Sequence, residues 1–147
     1  MLSLEERIIE MSKLCESDCI LTGNIALSMN KLIYGASPVS VCTKHAEIDG
    51  YSTPYGVYEY YHFKDKDFLM EIMEGIYLPS PEKAILDAIV WLPENSNEGY
   101  LIEALQTYQE NNDKSKLYEV ADHYKVPHEF VDYWWKEAEE ESDMSMG

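Results

Sequence analysis

Four side chains in the first third of the chain have the chemistry of metal ligands. Cys15 and Cys19 form a C-x3-C pair, and Cys42 and His45 form a C-x2-H pair. Zinc takes four such ligands in a tetrahedron. The first pair spans a helix end and the second a strand end, and nothing in the sequence draws the pairs together. The alternative is three small buried apolar residues and a surface histidine. A second charged group, Glu82, Lys83 and Asp87, lies in the otherwise apolar segment YLPSPEKAILDAIVW, residues 77–91. A lysine near a helix N-terminus opposes the macrodipole. Lys83 also precedes Asp87 by four residues, the less favoured order for such a pair. Both facts predict partners elsewhere in the fold. The three residues read as a structural polar tie to a loop or strand, with a charged contact for a partner as the functional alternative.

A third group is Tyr133, Trp134, Trp135 and Glu137, in an acidic C-terminal segment. Tryptophans often anchor protein interfaces, so these four form a candidate partner interface. Closing the core is their other use. The wider segment KLYEVADHYKVPHEFVDYWWKE, residues 116–137, has helix-turn-helix-like apolar spacing at Leu117, Val120, Ala121, Val126 and Val131. A DNA reader would need arginine or lysine on its second helix. Glu129, Asp132, Glu137, Glu139, Glu140 and Glu141 stand there instead, and residues 113–147 hold 10 acidic against 4 basic residues. The hairpin is expected; direct DNA binding is not.

Catalytic motifs are missing. There is no G-x-S-x-G. Neither G-x-x-x-x-G-K-[ST] nor G-x-G-x-x-G occurs, so no phosphate cradle is expected. His45, His62, His123 and His128 are scattered. The sequence therefore predicts no enzyme, no catalytic residue, no metal centre and no cofactor.

The bulk numbers bound the partners. The chain has 147 residues, with 11 basic against 28 acidic, a net charge of −17. Such a surface repels phosphate backbones and anionic membranes and suits a basic protein partner. A domain of this length can bury roughly 70% of its unfolded surface, enough for a core without disulfides. The start, MLSLEERIIEMSKL, lacks the basic residues and apolar run of a signal peptide. No stretch approaches the roughly 18 apolar residues that span a bilayer. Three cysteines suit thiols in a reducing cytoplasm, the expected location.

The positioning elements follow from pattern. Residues 3–15 predict an amphipathic helix, with Ser3 and Glu6 at capping-box spacing and Leu4, Ile8, Met11 and Cys15 on one face. Ser17-Asp18 breaks it. A short extended lead-in at 20 precedes a helix from about Asn24 to residue 34, carrying Ile25, Leu27, Met29, Leu32 and Ile33, and ended by Gly35-Ala36-Ser37-Pro38. VSVCT (39–43) and VYEYYHF (57–63) predict strands around a turn-rich loop with Gly50, Pro54 and Gly56. Residues 68–78 predict one or two strands turning near Glu74-Gly75, or a helix in the first half.

Four helices then follow. Ser80 can cap the first and Pro81 fits its opening turn. It runs over 81–92, apolar on nearly every side, and stops before Pro93. The others span about 97–111, about 114–124, and from Pro127 onward, with a frayed tail. The order is helix, helix, small sheet, four helices. This predicts one α+β domain over 1–142, with a small mixed sheet in about 1–80, a helical bundle in about 81–142, and residues 143–147 as a tail.

At this point two stretches resemble a known family. ILTGNIALSMNKLIYGASPVSVCTK, a strand-rich middle and then YLPSPEKAILDAIVW resemble the C-terminal domain of AbiEi-type antitoxins, of bacterial type IV toxin–antitoxin and abortive-infection systems. The resemblance covers roughly residues 14–125, and the PEKAILD segment is its most specific part. It implies a degenerate nucleotidyltransferase-like fold without catalysis. A working nucleotidyltransferase would hold magnesium with a D-x-D pair on the strand after a Gly-Ser turn. This chain has Gly23-Asn24, and VSVCTK offers no carboxylate. Only about 20 residues precede Gly23, fewer than the operator-binding winged helix of family members, so promoter binding is not expected. The resemblance implies a non-catalytic antitoxin that neutralises or regulates a nucleotidyltransferase-type toxin. The alternative is an acidic protein-binding module, such as a phage or mobile-element inhibitor that occupies a basic site on a host protein.

Overall fold

The first helix, α1 (Leu4–Leu14), is fixed at its start by a reciprocal cap. The Glu6 N–H donates to Ser3 Oγ at 3.1 Å, and the Ser3 N–H donates to Glu6 Oε1 at 3.4 Å. Both donors would otherwise lack an intrahelical acceptor. Its Ile8 and Met11 are fully buried, while Leu4 stays on the surface. A computed structural model describes residues 3–14, 19–34, 39–42, 56–58, 66–95 and 98–146. The expected break at Ser17-Asp18, the loop with Gly50 and Pro54, the Gly35–Pro38 stop and the strand residues 59–63 lie outside the described residues.

Among the described residues there are five strands. They are β1 (Cys19–Leu21), β2 (Val39–Cys42), β3 (Gly56–Tyr58), β4 (Leu69–Met73) and β5 (Ile76–Pro79). They form one mixed sheet in the order β3-β2-β1-β5-β4. β1 is buried along its whole length. It pairs antiparallel with β2, Leu21 opposite Val41, and parallel with β5, Cys19 opposite Ile76. The predicted order thus changes in one respect: the lead-in before the second helix is the central strand. β4 and β5 make the expected hairpin, not a helix, turning at Glu74-Gly75 with Gly75 at φ +75°. That conformation suits glycine, which has no Cβ to clash.

The second helix, α2 (Gly23–Met29), is shorter than the pattern predicted. Lys31 turns left-handed, φ +61°. Its N–H bonds to the Ser28 carbonyl at 2.9 Å, and the Leu32 N–H reaches the Leu27 carbonyl at 3.0 Å. These two bonds define a Schellman end. Asn30 clamps it, donating from Nδ2 to the carbonyls of Ala26 at 2.9 Å and of Pro79 at 3.0 Å. Leu32 and Ile33 still reach the core, from outside the helix.

The remaining helices are α3 (Pro81–Asn95), α4 (Glu98–Gln109), α5 (Ser115–His123) and α6 (His128–Met146). At α3, Ser80 caps as expected: its Oγ accepts the Lys83 N–H at 3.2 Å and its carbonyl accepts the Ala84 N–H at 2.9 Å. Ala84, Ile85, Leu86, Ala88 and Ile89 are buried, and Val90 emerges on one side. Each large aliphatic so buried contributes about 2 kcal/mol. α3 touches α2, α4, α5 and α6, so it is the axle of the helical half. It does not stop before Pro93 but runs on to Asn95. α5 ends in a second Schellman turn, with Lys125 at φ +59° and the Val126 N–H on the Ala121 carbonyl at 2.8 Å. α6 continues to Met146, through the stretch predicted to fray. No helix among the described residues is long and apolar enough to cross a membrane.

Candidate functional site

The PEKAILD segment puts its three charged side chains on α3, and the fold engages all of them. Lys83 Nζ lies 2.9 Å from both oxygens of Asp87, one turn along the same helix. The expected distant partner for the charge is therefore corrected: the anion is Asp87 itself. The distant partner that does exist is aromatic, since Lys83 Nζ sits 4.9 Å from the centre of the Tyr124 ring. Lys83 and Asp87 side chains are 10% and 20% exposed. In such a site the unfavourable sequence order, worth a few tenths of a kcal/mol, is a small effect beside the loss of hydration that pairing must offset. Burial pushes the Asp87 carboxyl above the usual carboxylate range, against the opposing pull of Lys83.

Glu82 points to the other side. It accepts the Tyr108 hydroxyl of α4 at 2.8 Å. Burial raises the Tyr108 phenol well above its ordinary value, and Glu82 raises it further. The Tyr108 ring meets Trp135 of α6 edge-on at 6.3 Å. The Trp135 carbonyl accepts from Gln109 Nε2 at 3.0 Å, and the Ala138 carbonyl accepts from Gln106 Nε2 at 3.2 Å. So Glu82, Tyr108 and Trp135 form one structural line from α3 through α4 to α6.

Tyr124 leads to a further cluster. Its ring and that of His123 pack edge-on, 4.7 Å apart, and Phe68 stands 5.2 Å from His123 and 6.3 Å from Tyr124. His123 Nε2 lies 3.3 Å from Asp67. Phe68 has φ +63°, a costly conformation for a bulky residue. It is held there by the rings and by the Ser80 N–H, which donates to its carbonyl at 2.7 Å. This cluster fastens the start of the β4–β5 hairpin to the end of α5.

The expected partner interface divides. Trp135 is taken up by the contacts with α4. Trp134 is half-buried against the core, and Glu137 is partly exposed. Tyr133 is 58% exposed, its ring edge-on to Trp134 at 5.2 Å. Phe130, three residues earlier and absent from the sequence reading, is 50% exposed. Its i, i+3 spacing to Tyr133 was the available signal. At the hairpin, Tyr118 donates to Asp132, Lys114 bridges Asp132 at 3.1 Å, and His128 stacks on Tyr118 at 4.1 Å and meets Asp122 at 2.6 Å. The Tyr118 hydroxyl and Lys114 hold the Asp132 carboxyl below the usual range. The α5–α6 pair is thus the predicted hairpin, with Leu117, Val120, Ala121 and Val131 buried and Val126 packed against them.

Of the thiol and imidazole candidates, Cys19 is buried in β1. Cys15, His45 and His62, and the Cys42 side chain, lie outside the described residues. No group of three His, Cys, Asp or Glu side chains that could hold a metal occurs among the described residues. β1 leads through Thr22 into Gly23, φ +60°, at the start of α2, and β2 lies beside β1. No family model, curated protein or solved structure matches the chain.

Proposed function

We propose that this chain is a non-catalytic, antitoxin-like protein that neutralises or regulates a nucleotidyltransferase-type toxin. One observation carries the reading: the β1–α2–β2 unit. It has a strand, a glycine turn into a helix, and an adjacent strand, the order in which the resemblance would have a nucleotidyltransferase hold its magnesium. Magnesium sites need oxygen ligands, usually carboxylates. β2 reads Val39, Ser40, Val41 and Cys42, and the turn reads Gly23-Asn24. The unit thus has no carboxylate on the strand where the reaction would need one. The PEKAILD carboxylates do not replace them, because Asp87 is bound by Lys83 and Glu82 by Tyr108. A nucleotidyltransferase-like unit without its metal ligands is suited to regulation, not turnover.

The test is coexpression with the product of the neighbouring gene. That product is expected to arrest growth alone and to lose toxicity beside this chain. A harmless neighbour, or toxicity unchanged by the chain, would sink the reading. Magnesium-dependent nucleotide transfer by the purified protein would sink its non-catalytic part.

A further inference from the structure

The solvent side of α6 carries a second stripe beside the one that faces the core. Val131 and Ala138 are fully buried, and Trp135 lies on the same side against Tyr108. At about 100° per residue, Phe130, Tyr133, Glu137 and Glu141 fall together on a strip centred roughly a third of a turn away. The strip begins with two half-exposed rings, of which Tyr133 is braced by Trp134, and ends with two carboxylates. Between His128 and Met146 the helix holds seven carboxylates and one lysine. Among the described residues, no cation lies within ion-pair distance of Glu137 or Glu141.

We propose that this strip is a docking surface for a basic amphipathic helix of a protein partner. The partner's apolar side chains would seat on Phe130 and Tyr133, and its lysines or arginines would meet Glu137 and Glu141. Charge complementarity selects this occupant. A second copy would bring like charge against like charge, and nucleic acids or anionic membranes are repelled in the same way. That the partner is the toxin rests on the antitoxin reading; the surface itself does not.

The probe is a synthetic helical peptide with leucines on one face and lysines on the other, titrated into the full chain by fluorescence anisotropy. The doubles Phe130→Ala/Tyr133→Ala and Glu137→Lys/Glu141→Lys are each expected to weaken binding by at least about tenfold. The charge-matched control Glu71→Lys/Glu74→Lys, on the β4–β5 hairpin, is expected to change it by less than about twofold at physiological ionic strength, where charges more than about 8 Å apart are largely screened. An equal loss in the control would show attraction to net charge alone and overturn the site. Self-association in sedimentation, abolished by Phe130→Ala, would also overturn it by assigning the strip to a second copy. Toxin neutralisation by a variant that no longer binds the peptide would remove the toxin as occupant and leave the antitoxin reading standing. Peptide binding by a chain that neutralises nothing would do the reverse.

Discussion

α3 and α6 are both carboxylate-bearing helices, and they use their carboxylates in opposite ways. α3 lies at the axle, touching four other helices, and each of its two acids near the N-terminus meets a single partner: Lys83 for Asp87, Tyr108 for Glu82. α6 lies at the edge, buries one line of side chains, and leaves most of its acids to water. A carboxylate held by one inward partner supports the fold, and one left outside is available to something else. Residue type does not separate these roles; depth and partner do.

The largest effect should come from breaking the α3 pair. Asp87→Ala leaves the Lys83 ammonium with no carboxylate, and an unpaired, mostly buried charge costs about 3 kcal/mol. In a domain of this size that lowers the melting midpoint by on the order of 10 °C. Replacing both partners, Lys83→Met with Asp87→Leu, should recover most of the loss in chemical denaturation. If the double variant is no better than the single, the pair is not the unit that matters.

Next comes the pH dependence of the same carboxyl. Its folded pKa is raised above the unfolded value near 3.8, so between the two values the native state binds more protons. The stability it contributes therefore falls as pH rises through that window and recovers as pH drops back toward 3.8. Asp87→Asn keeps an oxygen for Lys83 but cannot titrate. Wild type should gain on this variant as pH falls from neutral, and a difference that moves the other way would mean Lys83 outweighs burial. Smaller again is Tyr108→Phe, which removes one hydrogen bond to Glu82 and should cost about 1 kcal/mol by denaturant titration. Smallest are Phe130→Ala and Tyr133→Ala, each under about 0.5 kcal/mol, because their rings are half in water. A loss of 2 kcal/mol at either would place α6's outer strip with the fold and collapse the contrast.

Local signals were legible in the sequence. The Ser3–Glu6 and Ser80–Pro81 starts, the Glu74-Gly75 turn and the α5–α6 hairpin rest on neighbours within a few residues. The end of α2 was not legible, because a left-handed Lys31 replaces the glycine that normally marks such a turn. Nor was the rank of β1. Three residues are too few for periodicity, and its place depends on strands elsewhere in the chain. At the site, the Lys83–Asp87 spacing was visible but its partnership was misread, because a weak local preference was set against burial. Glu82–Tyr108 spans 26 residues and leaves no pattern in one sequence. Trp135 and Tyr133 were singled out together, yet only the packing of α4 on α6 sends one inward and the other out.

The central strand also sets a schedule for synthesis. β1 needs β2 on one flank and β5 on the other. When β1 has just been synthesised, β5 is still some 55 residues from translation. At about 5–20 residues per second that interval is on the order of several seconds. Throughout it one edge of the innermost strand has no native partner, and the apolar face of α3 has not been made. A protease or chaperone therefore meets the N-terminal half before its sheet can close. The cellular supply of this protein depends on how that interval is survived as well as on the stability of the finished fold.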